Sequence, residues 1–247
     1  MYRFVCTACL AVSVFFSAGY GAVAADNYTA AAARALKYFQ HQGDRIEAGV
    51  LPTLFYLHRR FGLPLRLEKP IAAAMRDAGP NFRPFLRFLD ENKTVSEMHV
   101  RALQGNRGLV ATALYCDLYP VPWDFFSKIH ASGERGGFFA TQAVIALVLL
   151  KERKCIYDAV KYDSEMKYLS GQILTELARP LVNADLRIEQ AVVAVISGNE
   201  KRLKPEVIRD IVSAQESDGS WMKSQRATAN ALWLFYELKS LRRAAAR

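Results

Sequence analysis

Tyr115, Asp117, Tyr119, Trp123, Asp124, His130, Glu134 and Arg135 crowd into the segment 115–138. Together they hold the residue types that bind and cleave acidic sugars. Aromatic rings stack on sugar faces, and an arginine pairs with a carboxylate through two parallel hydrogen bonds. A lyase needs a base for the proton next to that carboxylate, and Tyr115 or His130 would supply one. A hydrolase needs two carboxylates across the scissile bond, and Asp117 and Asp124 are the nearest pair. Tyr115, Asp117, Asp124 and His130 are therefore the candidate catalytic residues, with Tyr119, Trp123 and Arg135 as candidate ligand contacts. The same residues also make ordinary structure. Tyr-Pro and Pro-Trp pack as turns between helices, and Asp124 favours the amino end of a following helix.

No other chemistry is written in the chain. It lacks H-E-x-x-H, G-x-S-x-G, a phosphate-binding loop and a dinucleotide fingerprint. His41, His58, His99 and His130 are scattered, so neither a metal nor a cofactor is expected. The formal net charge is +9, spread along the chain. That sign suits an acidic glycan or anionic lipid, and it also keeps a protein soluble.

The elements that position these residues begin after an expected export signal. Arg3 is its positive end, residues 4–16 its apolar stretch, and the small residues Ala22, Val23, Ala24 and Ala25 its cleavage region. Residues 1–25 are read as a cleaved signal peptide, 26–243 as one helical-repeat domain and 244–247 as a frayed tail. A secreted or periplasmic location follows, and nucleic acid is excluded as a partner. No transmembrane segment is expected after cleavage, because the apolar run 138–150 is short and holds Thr141 and Gln142. Cys6 and Cys9 leave with the signal. Cys116 and Cys155 remain, either as a disulfide or as two buried thiols. Asn27 and Asn92 open glycosylation sequons, of use only in a eukaryotic host.

Helical periodicity dominates the rest. Helices are expected over 27–43 with an Asn27 cap, 45–62 kinked near Pro52, and 70–79. Others are expected over 82–92, 94–106 with a Thr94–Glu97 capping box, 108–120 and 122–133. The set continues with 136–155, 163–180, 184–199, 204–219 and 224–243. An internal echo links Gly137-Phe138…Gln142 with Gly219…Trp221…Gln225, each followed by an Ala-Leu pair. Stacked antiparallel helical hairpins produce such echoes.

The stretch "AQESDGSW" (214–221) carries a more particular pattern. Gln215, Gly219 and Trp221 resemble the second half of the QW motif of terpenoid-cyclase-like α/α toroids. Glycine permits the positive φ that ends a helix sharply, the indole covers the turn, and the amide reaches free backbone groups. Ile211 matches the motif's aliphatic position, Asp210 stands where an aromatic is wanted, and the upstream basic-plus-small pair is missing. "GGFFATQAVIAL", with Gly137 and Phe138, is similar to the inner-helix openings of such toroids.

The resemblance implies an all-α, single-domain, toroid-like fold. It does not carry over isoprenoid chemistry, because the chain has no two adjacent aspartates. The leading expectation is a non-catalytic binding or scaffold protein of the cell envelope, with an acidic glycan or an envelope protein as partner. The alternative is an exported lyase or hydrolase acting on acidic polysaccharide.

Overall fold

The computed structural model describes residues 16–77, 79–179 and 183–246. Arg3, Cys6, Cys9 and most of the expected signal lie outside the described residues, as does Arg247. Regular structure within them is helical, apart from isolated bridges joining Gln215 to Trp221 and Trp221 to Ser224. In chain order the helices are α1 (Phe16–Gln42), α2 (Leu51–Phe61), α3 (Glu68–Asp77), α4 (Glu97–Arg101), α5 (Gly105–Leu114) and α6 (Phe125–Glu134). They continue as α7 (Gly137–Glu152), α8 (Ala159–Leu177), α9 (Ala184–Ile196), α10 (Pro205–Ser213) and α11 (Gln225–Ala245). A 3₁₀ segment, Arg83–Phe88, stands between α3 and α4.

Several of these helices start where a side chain replaces the missing backbone partner. Asp158 accepts from the Lys161 amide, Asn183 from Leu186 and Ser224 from Ala227, opening α8, α9 and α11. α2 stops at Gly62, whose φ of 65° reaches the left-handed region. Several expected boundaries move, among them 108–120 to Gly105–Leu114, 163–180 to Ala159–Leu177 and 204–219 to Pro205–Ser213. Pro52 lies in the first turn of α2 and starts the helix rather than kinking it, since its missing N–H is not needed there. Of residues 82–92 only Arg83–Phe88 is helical, wound as 3₁₀ around Pro84 and not as an α-helix. Of residues 94–106 only α4 is α-helical, and its cap residue is Ser96 rather than Thr94. Asn27 caps nothing, because α1 already runs through it from Phe16.

The helices form an inner and an outer layer. α5 packs on α7, α7 on α9, α9 on α11 and α11 on α2. α2 then packs on the 3₁₀ segment, and that segment returns to α5, so the inner contacts make a complete circuit. α6 covers α5 and α7, α8 covers α7 and α9, and α1 lies against α10 and α11. Inner helices pack closely because their faces are small or branched. On α7, Ala140, Ala143, Val144, Ala146 and Leu147 are fully buried, as are Ala191, Val192 and Val193 on α9. α7 is thus a core helix, and no helix among the described residues is long and apolar enough to cross a membrane. The inner helices run in one direction. Gln142, Glu189 and Asn230, from the amino halves of α7, α9 and α11, meet each other. Arg60, Glu152 and Glu237, from the carboxyl ends of α2, α7 and α11, meet at the opposite end.

The 214–221 stretch works as a clip between α1, α10 and α11. Gln215 Nε2 donates to the Ala31 carbonyl and the Gly219 carbonyl, both at 2.9 Å, and its Oε1 accepts from Arg34 Nε at 2.8 Å. The amide therefore reaches the middle of α1 rather than a helix end. Gly219 has φ 91°, and a β-carbon there would stand 2.5 Å from the Arg34 carbonyl oxygen, so the residue has no room for a side chain. Trp221 is fully buried. Its Nε1 donates to the Ile211 carbonyl at 2.6 Å, and its ring lies 5.8 Å from that of Phe235. Far from this clip, a disulfide joins Cys116 to Cys155.

Candidate functional site

The inner circuit surrounds a cavity of about 510 Å³. Every inner element contributes to its wall: Tyr56 of α2, Phe85 and Phe88 of the 3₁₀ segment, Val110 of α5, Gln142 to Glu152 of α7, Glu189 and Ile196 of α9, and Asn230 and Trp233 of α11. Its size falls within the range of small-ligand sites, roughly 300–1,000 Å³.

The wall is graded along its length. Gln142, Glu189 and Asn230 each occupy the sixth residue of their helices (137 to 142, 184 to 189, 225 to 230), so parallel helices put them in one polar belt. Below the belt come Ile145, Val148, Leu149 and Ile196. Glu152, ten residues beyond Gln142 and so about 15 Å along α7, marks the floor. There the Tyr56 hydroxyl donates to Glu152 at 2.9 Å, Arg60 pairs with both Glu152 and Glu237, and the Trp233 indole donates to Glu237 at 3.1 Å. Burial, reinforced by Glu152, pushes the Tyr56 phenol far above its ordinary range. The floor is a satisfied structural network. The amino-end rim is wet, with Arg107, Asp77 and Arg226 exposed.

Glu189 is the unusual group. The residue is 4% exposed, and its carboxyl meets only neutral donors: Gln142 Nε2 at 2.9 Å, Asn230 Nδ2 at 3.2 Å and the Thr141 hydroxyl. The nearest cation, Arg226, is held by Asp185 at 2.8 Å and lies 4.3 Å over the Phe138 ring. Burial raises the Glu189 pKa above its ordinary 4.5, against the lowering effect of Thr141, Gln142 and Arg226. A proton count agrees. Thr141 Oγ1 has one hydrogen but two acceptors, the Phe138 carbonyl at 3.0 Å and Glu189 Oε1. A protonated Glu189 donates to Thr141, which donates to Phe138, and both contacts are satisfied.

A measurable pH dependence follows. A carboxyl with a raised folded pKa holds its proton more tightly when folded, so its stabilising effect is complete below 4.5 and fades as pH rises above it. Glu189→Gln removes that slope. Urea melts from about pH 5 to about pH 8 should show the variant gaining on the wild type with rising pH. Parallel curves would contradict the neutral carboxyl.

The residues singled out in 115–138 go elsewhere. Tyr115 is fully buried and its hydroxyl donates to the Lys93 carbonyl; burial pushes its pKa up to about 12. Asp117 accepts two hydrogen bonds from the buried Arg87, at 2.7 and 2.6 Å. Burial works against that pairing, yet the Arg87 bonds hold the carboxyl below its usual range. Tyr119 donates to the Val95 carbonyl. Asp124 stands at the start of α6, paired with Lys128 at 2.9 Å. His130 contacts Glu165 at 3.1 Å and stacks on Tyr168. Trp123 is 89% exposed, and Arg135 covers the Phe139 ring. None of Tyr115, Asp117, Asp124 and His130 lines the central cavity. Tyr115 and Asp117 meet at Arg87, whose guanidinium lies 4.8 Å over the Tyr115 ring, and Tyr115 stacks on Tyr119.

Gly137 begins α7 with a positive φ, and Phe138 follows it under Arg226. Gln225, the echo partner of Gln142, instead donates to the Arg45 carbonyl and accepts from the Glu47 amide, tying α11 to the chain before α2. No group of three or more His, Cys, Asp or Glu residues suited to a metal occurs among the described residues. Sequence reasoning missed Glu189 and Asn230. Their signal was polar side chains inside apolar helix runs, Ile188–Val195 and Ala227–Phe235. No protein-family model, no curated protein and no solved structure matches this chain.

Proposed function

We propose that this chain is an exported, non-catalytic binding protein of the cell envelope, and that its inner circuit is an α/α toroid enclosing the ligand site. The cavity of about 510 Å³, with an open polar belt at one end, an apolar middle and a self-satisfied hydrogen-bonded floor, carries this reading. A scaffold needs no such space, since a packed core is normally filled. The Cys116–Cys155 disulfide agrees with an oxidising compartment. The polar belt and apolar shaft fit an elongated amphiphile with its head at Gln142, Glu189 and Asn230.

A thermal-shift panel on residues 26–247 tests it, with short alkyl amphiphiles, neutral glycans and acidic glycans. A ligand that binds only the folded chain at a hundred times its Kd adds about 2.7 kcal/mol. In a chain of this size that raises Tm by roughly 5–10 °C. A flat response to every amphiphile would defeat the reading.

The enzyme acting on acidic polysaccharide keeps one supporting observation. A second cleft of about 340 Å³ is lined by Arg101, Lys128 and Arg135. These cations suit an acidic glycan, although Glu97 and Asp124 already pair with the first two. A salt-sensitive shift with an acidic glycan alone would favour this second reading.

A further inference from the structure

Glu189 makes a demand that no other wall residue makes. It is a carboxyl sunk in the wall of a cavity, with three neutral donors around it and no cation in contact. The charged groups nearby are accounted for. Arg226 of α11 is bound to Asp185 of α9, while Arg107 of α5 and Asp77 of α3 lie in water at the rim. Burying a carboxylate with no cation in contact is costly, so burial favours its protonated form in the empty site. A cation delivered to the belt would replace that proton and recover a full ion pair.

We infer that the ligand of the central cavity is an amine-headed amphiphile, its ammonium group against Glu189 and its apolar chain along Ile145, Val148, Leu149 and Ile196 towards Trp233. This rests on reading the cavity as a ligand site. The amino ends of the parallel inner helices carry partial positive charge, which opposes an ammonium, but that field fades within the first turn. The belt stands in the second turn, six residues in. The shaft gives the chain its affinity through buried methylenes, equally for any head group. The head group therefore decides the preference among equal chains. Binding is a proton exchange: the carboxylic acid of Glu189 releases one proton to solvent, and its carboxylate pairs with the ammonium, which stays charged throughout.

Octylamine, octanol and octanoate, titrated calorimetrically into the wild type in two buffers of different ionisation enthalpy, separate the possibilities. The expected result is octylamine binding more than tenfold tighter than octanol, octanoate weakest, and one proton released per amine bound. Octylamine affinity should rise from about pH 5 to about pH 8, because the site gives up a proton, while octanol affinity stays level. In Glu189→Gln the gap between octylamine and octanol should close. If octanol binds as tightly as octylamine in the wild type, the amine inference falls and the cavity reading stands. If none of the three binds, both fall. An amine preference that survives in Glu189→Gln would move the recognition to another group and overturn the assignment.

Discussion

Trp221→Ala is expected to lower the unfolding free energy by about 4 kcal/mol, within the span seen when a buried tryptophan is truncated. For a chain of this length that is a fall of roughly 8–16 °C in Tm. Trp221 is fully buried, and the substitution empties its volume. It also strips the Ile211 carbonyl of its indole donor and Phe235 of an aromatic neighbour. The loss comes where α1, α10 and α11 meet, so no single helix can relax into the gap. Trp123→Ala is the control: at 89% exposure that side chain contributes little, and the expected change is within about 0.5 kcal/mol. Denaturant melts of both variants decide it, and a Trp221→Ala loss under about 1 kcal/mol would mean the clip is not needed for stability.

Removing the Cys116–Cys155 disulfide, by reduction or by Cys116→Ala with Cys155→Ala, should cost about the same. The bridge closes a loop across a separation of 39 residues. The chain-entropy relation gives about 4 kcal/mol for a loop of that length, most of it through the unfolded state. That loop contains α6 and α7, so reduction frees an outer helix and the most apolar inner helix together. Melts with and without reductant measure the difference, and a thiol count on unreduced protein checks the bridge itself. Equal melts with the bridge demonstrably broken would contradict the estimate.

Much of the fold was legible because it is local. The apolar run marks α7 as buried. Asn183 and Ser224 cap helices where helices were expected to begin, whereas α8 starts at Ala159 behind Asp158, ahead of the expected 163. The aromatic segment 82–92 misled, because Pro84 and its crowded neighbours fit a tighter winding than apolar spacing suggests. The site was less legible for a different reason. Closeness in sequence placed Tyr115, Asp117, Asp124 and His130 together, but a helix and its turns send neighbours to different sides. Tyr115 and Asp117 both meet Arg87, while Asp124 pairs with Lys128 and His130 turns to α8. Gln142, Glu189 and Asn230 lie far apart in the chain and meet only because parallel helices start level. Nothing local in any one of those helices records where the other two begin.

The clip between α1 and α11 also fixes when the molecule can finish folding. Its Gln215 to Ala31 hydrogen bond spans 184 residues, so the circuit closes through one of the most distant contacts in the chain. Such contacts form late, after the chain has met the entropy of closing a long loop. A growing polypeptide must hold the apolar face of α1 uncovered until α11 arrives. Quality control can therefore be exercised at a single step: a chain interrupted before residue 225 exposes Tyr28, Ala31, Ala35 and Phe39 to any chaperone or protease that recognises greasy surface.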